Sequence, residues 1–357
     1  MLKPDKSLHK FLLSTPARFT GRYLSEDISI SISFPTDDTA LKVDDNPFSR
    51  TYLVVTIRQE PVIAPGVILM PNQSFYGEVF CILLSILYGK EFKFHGMLES
   101  HGINMLPNLS NSPNSCYGQP QYNSNPRKDL EISLSLDQYG LIEPLLLEEA
   151  NVDEEFRRRI IAAGKFYNRA LSIFPSEPEL AYLDLITCGE ILSNFNEDKY
   201  TDEQLYDENL LKNFELINTL ERGSSIVNDL KSRLYQVKRK YTYNLLGLLN
   251  ENFFNGNETS QDIGVLTKDQ SETIIKSAYD LRSLYVHEGL EFGSYISPHR
   301  NYNNEIVIGQ PSEITVGKRA AKTISQSPTF LGLERMIRFA LLSLLNSNKV
   351  PISKLLD

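Results

Sequence analysis

The apolar residues of this chain change their spacing once, near residue 150, and no other feature limits the fold as strongly. Before that point the period is two. Ile28, Ile30, Ile32 and Phe34 alternate with Ser29, Ser31 and Ser33, and Leu130, Ile132, Leu134 and Leu136 alternate with Glu131, Ser133 and Ser135. Strict alternation of this kind describes a strand with one face in a core. Thr51 to Ile57 reads as a β-branched strand, and Val62 to Met70 as another after a turn at Pro61. Phe75 to Tyr88 is the exception, an apolar run that predicts a buried helix closed by Gly89. Pro107 to Pro126 has no periodicity and reads as a long loop.

From Val152 the period becomes helical. Phe156, Ile160, Ala163, Tyr167, Ala170 and Leu171 form one stripe, which Pro175 ends, and Pro178 opens a second helix that runs to Phe195. Further helical patterns cover about 203–221, 225–254, 270–288 and 327–346, with a hairpin expected at Ile306 to Ile308 and Ile314 to Val316. The fold class is therefore α+β: a β-rich domain with one helix over 1–150, then an all-α bundle of five or six helices over 151–357.

Composition narrows the function. With 36 basic and 45 acidic side chains the net charge is −9, so a surface given over to non-specific nucleic-acid binding is excluded and any such contact is local. Cys81, Cys116 and Cys188 form no C-x-x-C and suit a reducing compartment. The apolar run Val79 to Tyr88 is about half the length of a membrane span, and Phe11 to Leu13 is too short for a signal-peptide core. A cytoplasmic protein without membrane partners is expected.

There is no phosphate-binding Gly-Lys-Ser/Thr loop, no G-x-G-x-x-G, no H-E-x-x-H and no G-x-S-x-G, which removes support for common nucleotide, redox, metalloprotease and serine-hydrolase chemistries. His95, Glu99 and His101 lie close in sequence but at no recognised ligand spacing, so no metal and no cofactor is expected. The segment Tyr279-Asp280-Leu281-Arg282-Ser283-Leu284-Tyr285-Val286-His287-Glu288-Gly289 stands out instead. It places an arginine and a histidine, separated by four residues, near the end of a helix that Gly289 would cap. The plainer reading is a surface arginine and a histidine that stabilises a helix C-terminus.

This segment, late in a helical bundle, resembles the R-x4-6-H motif of HEPN domains, and most closely those of the Apea-like group linked to abortive phage infection. The helix Leu180 to Phe195, with Glu190, also resembles that group's second helix, and the resemblance covers roughly 152–346. It implies a HEPN-like bundle that cleaves RNA without a metal, as a toxin-like effector of antiviral defence. Arg282 would hold the phosphate and His287 would act as general acid and base. Ser283, Tyr285 and Glu190 are candidate supporting residues, and Lys238, Arg239, Lys240, His299 and Arg300 are candidate RNA contacts. Arg157 to Arg159, Lys318, Arg319 and Lys322 form further basic clusters. Many family members carry Asn, Asp or His where this chain has Ser283, which supports an alternative reading as a non-catalytic dimerisation or binding protein.

The resemblance also gives the first domain a regulatory task, answering a phage-derived trigger or regulatory protein. Helix geometry adds a partner. Five positions along an α-helix correspond to about 140° around its axis, so Arg282 and His287 cannot share one face, and a homodimer joined at the motif is expected.

Overall fold

The computed structural model describes residues 6–33, 50–60, 63–64, 67–68, 72–106, 134–146, 152–196, 200–234, 236–299, 301–352 and 355. The architecture is mixed α+β: an antiparallel sheet toward the N-terminus, then a helical region. The strands are β1 (Ser7–Thr15), β2 (Phe19–Thr20), β3 (Arg22–Leu24), β4 (Ile28–Ser33), β5 (Thr51–Gln59), β6 (Ile63–Ala64), β7 (Val67–Ile68), β8 (Lys93–Ser100), β9 (Ile103–Asn104) and β10 (Leu134–Ser135). The main sheet has the order β3-β4-β5-β1-β8-β9, while β2 pairs with β10 and β6 with β7.

Register explains the alternation seen in the sequence. Ile28, Ile30 and Ile32 stand opposite Ile57, Val55 and Leu53, and these three in turn stand opposite His9, Phe11 and Leu13. One face therefore carries a continuous apolar surface, on which Phe11, Leu13, Leu53, Val55, Ile28 and Ile30 are fully buried. Helix α1 (Ser74–Tyr88) covers it, with Phe80 packing on Phe11 at 6.1 Å between ring centroids. Its C-terminal cap is Gly89 in the left-handed conformation, as the sequence predicts.

Of the strand expected from Leu130, Leu134 and Ser135 are in β10 and the chain then turns into a 3-10 helix at Leu136–Leu141. Residues 130–133 lie outside the described residues, as do the loop 107–126, Cys116 and part of the expected strand 62–70.

The helical region begins with α2 (Glu154–Ile173), whose first turn is capped by Asp153 accepting from the Phe156 N–H at 2.8 Å. Next come α3 (Pro178–Ser193), α4 (Glu208–Asn218), α5 (Gly223–Arg233), α6 (Val237–Leu248), α7 (Lys268–Glu288), α8 (Lys318–Ser325) and α9 (Phe330–Ser347). Two expectations are corrected. The single helix read over 225–254 is three, α5, α6 and Glu251–Asn255, because Gln236 takes a left-handed φ of 46° and Asn250 caps a new turn by accepting from the Phe253 N–H. The hairpin read at 306–316 does not form. The N–H groups of Ile306 and Val307 donate to Gly264 and Ser327, and Glu313–Val316 is a helical turn.

The described residues fall into two compact units, Met1–Asp184 with Leu341–Asp357, and Leu185–Ala340. The change from strands to helices near residue 150 is thus not where the units divide, since α2 packs on α1 and belongs with the sheet. Among the described residues, no helix is long and apolar enough to cross a membrane. Gly164 sets the approach of α2 to α1: a Cβ there would lie 2.5 Å from Ile82 Cγ2 and 2.8 Å from Ile86 Cδ1. Gly164→Val should lower the unfolding free energy by about 1–3 kcal/mol through overpacking, measured by urea denaturation. An unchanged midpoint would show that the helices can part without cost.

Candidate functional site

All the described residues of the sequence-derived site belong to the unit Leu185–Ala340. Helix α7 forms because Ile274, Ile275, Ala278, Leu281 and Leu284 recur at helical spacing and are buried, and it stops because Gly289 takes a φ of 68°. The Gly289 N–H donates to the Tyr285 carbonyl at 3.0 Å. The helix is regular through Glu288, so its last turn is not unwound and the offset of about 140° between Arg282 and His287 holds within one protomer.

Arg282 is half-buried, with its guanidinium carbon 5.5 Å from the centroid of the Tyr279 ring. Tyr279 is anchored in turn: its hydroxyl donates to Glu190 Oε1 at 2.9 Å, and its ring lies 5.4 Å from that of Tyr241. Burial, followed by the charge and hydrogen bond of Glu190, pushes the Tyr279 phenol up to about 12. The neighbouring Asp280 accepts two bonds from Lys238 Nζ, at 2.6 and 2.7 Å. Arg282 consequently forms no hydrogen bond or ion pair with a carboxylate among the described residues.

His287 is exposed on the last turn and makes no hydrogen bond among the described residues. Val286 beside it is half exposed, and Glu288 meets Arg319 of α8 at 3.2 Å. Tyr285 is half-buried against Phe292, at 6.0 Å between centroids, and Ser283 is half-buried.

The other candidates separate. Arg239 donates to the Gln204 carbonyl at 3.4 Å, and Lys240 is half-buried on α6. His299 is exposed, stacked on Tyr302 at 4.7 Å, and accepts from the Asn301 N–H. Arg300 lies outside the described residues. Sequence reasoning placed Tyr279 and Asp280 in the segment that stands out but gave them no role. The available signal was that Tyr279 precedes Arg282 by three positions, so the two are neighbours on the helix surface.

In the sheet-bearing unit, His95, Glu99 and His101 do not converge. His95 Nε2 and Ser14 Oγ are hydrogen-bonded at 2.7 Å, Glu99 pairs with Lys10 at 2.5 Å, and His101 meets His9 edge to face at 4.6 Å. Burial, then the charges of Arg50 and Lys93, hold the His95 imidazole down to about 4. Among the described residues, no three His, Cys, Asp or Glu side chains form a group that could hold a metal.

Comparison with protein-family models, curated proteins and solved structures finds no match.

Tyr279→Phe keeps the ring face beneath Arg282 and removes the bond to Glu190. It should cost about 1 kcal/mol near neutral pH. The folded phenol holds its proton to about 12 and the unfolded one only to about 10, so this contribution is complete below pH 10 and fades as the pH rises toward 12. Urea midpoints of the two proteins should converge over that interval. A constant difference would place the raised phenol elsewhere.

Proposed function

We propose that this chain is a metal-independent endoribonuclease of HEPN type that works as a homodimer, a toxin-like effector in antiviral defence. What supports the reading is the end of α7. A guanidinium without a carboxylate partner among the described residues rests on an anchored tyrosine, and an exposed imidazole lies five positions on, before a glycine cap.

RNA contains its own nucleophile in the 2′-hydroxyl. His287 acts as general base and takes that proton while the 2′-oxygen forms a bond to phosphorus; the bond from phosphorus to the 5′-oxygen breaks, and an imidazolium returns a proton to the leaving oxygen. Arg282 faces the non-bridging oxygens, where charge accumulates. The products are a 2′,3′-cyclic phosphate and a 5′-hydroxyl.

Because the two groups are about 140° apart on one helix, the arginine of one protomer works with the histidine of its partner. The exposed Val286 beside His287 supplies apolar surface for such a pairing. In this reading the sheet-bearing region senses a phage-derived trigger or regulatory protein.

Purified protein should cleave total RNA in the presence of EDTA and leave cyclic-phosphate ends, and Arg282→Ala or His287→Ala should reduce cleavage by at least a hundredfold. Cleavage that needs added magnesium, or that survives His287→Ala in a folded protein, rejects the mechanism.

Mixing the two inactive variants tests the shared site. Random pairing puts half of the molecules in mixed dimers, each with one intact Arg–His pair, so about a quarter of the wild-type activity should return. No recovery would mean that each protomer works alone.

A further inference from the structure

The sheet-bearing unit holds a cavity that the ribonuclease reading does not use. It has a volume of about 360 Å3 and opens between the first turns of α1 and α2. Val79, Leu145 and Leu146 are buried in its wall and Ile161 is half-buried, while Phe75 is 62% exposed beside them. An apolar hollow next to an exposed phenylalanine leaves hydrophobic surface in water, which is unfavourable unless something covers it.

The polar part of the lining is one-sided. Arg158 and Lys165 stand on α2 along one helical stripe with Ile161, and among the described lining residues the one carboxylate is Glu154. This is a local excess of positive charge in a chain whose net charge is −9. Arg159, which follows in sequence, pairs with Glu155 at 2.5 Å, whereas Arg158 and Lys165 form no salt bridge among the described residues. The occupant that complements such a lining has an apolar body and an acidic head.

We propose that the cavity binds a free, single-chain anionic amphiphile of the medium-chain carboxylate type. Its chain lies against Val79, Leu145, Leu146 and Ile161, and its head lies between Arg158 and Lys165. The volume is near the lower end of the range for small-molecule sites, roughly 300–1,000 Å3, which matches one chain of about ten carbons rather than a two-chain lipid.

Calorimetric titration of the full chain with hexanoate, octanoate and decanoate, each below its micelle concentration, tests this directly. Each added methylene should tighten binding roughly fourfold until the cavity is filled. Decanol should bind more weakly than decanoate. Changing Arg158→Gln and Lys165→Gln together should weaken decanoate roughly tenfold or more and leave decanol unchanged, because both side chains are exposed and their loss does not disturb the core. Ala162→Trp, also at an exposed position in the lining, should block every ligand by filling the space.

The absence of saturable binding overturns the proposal, as does an affinity independent of chain length. Binding confined to phosphatidylglycerol vesicles would mean a membrane-facing patch instead, and would equally overturn it. The readout is binding alone, so it stands or falls separately from RNA cleavage.

Discussion

A carboxylate with no access to water organises the unit that carries Arg282 and His287. Glu305 is fully buried, and Arg335 approaches it with Nε 2.7 Å from one oxygen while Nη2 donates to the other at 3.0 Å. The N–H groups of Glu258 and Leu266 donate to the same carboxylate at 2.8 and 3.1 Å. The arginine is itself held, with its guanidinium 3.8 Å from the centroid of the Phe253 ring. Burying an isolated carboxylate costs several kcal/mol, and breaking such a pair costs about 3–5 kcal/mol, so the ion pair and these three hydrogen bonds are a requirement of the fold. Leu266 lies just before α7, and the Thr329 N–H, just before α9, donates to the Glu305 carbonyl at 2.9 Å. One loop glutamate thus sets where both helices begin.

The candidate site follows a different rule, in which carboxylates are directed away from Arg282. Glu190 accepts from Tyr279 and Asp280 is taken by Lys238, so neither neutralises Arg282. What holds the guanidinium is the tyrosine face, worth about 0.5–2 kcal/mol, whereas exposed ion pairs contribute about 0–1 kcal/mol. The buried His95 shows the opposite arrangement: its imidazole is enclosed with Ser14 beside Arg50, and desolvation keeps it neutral through the physiological range.

How much of this is readable in the sequence depends on whether the cause is local. The alternation at Ile28 to Ser33 and the glycine stop after Tyr88 are local, and β4 and α1 occur as expected. The breaks at Gln236 and Asn250 are not, since the apolar spacing runs across them and tertiary structure imposes the turns. Likewise the residues 306–308 have strand composition, but their hydrogen-bond partners, Gly264 and Ser327, are remote in sequence. At the site, the Arg–His spacing was visible while the support beneath it was not. Tyr279 resembles any core aromatic until Glu190 is seen to receive its hydroxyl, and Glu305 is one glutamate among many until its burial is known.

The intact last turn of α7 has a consequence for dose. A site whose arginine and histidine come from different copies exists only in the associated state, so below the dissociation constant its concentration rises with the square of the number of chains. Doubling the copies in a cell would then quadruple the activity, and a tenfold reduction would lower it a hundredfold. In the proposed shared site, one regular turn of helix ending at Gly289 thereby makes activity depend steeply on protein abundance.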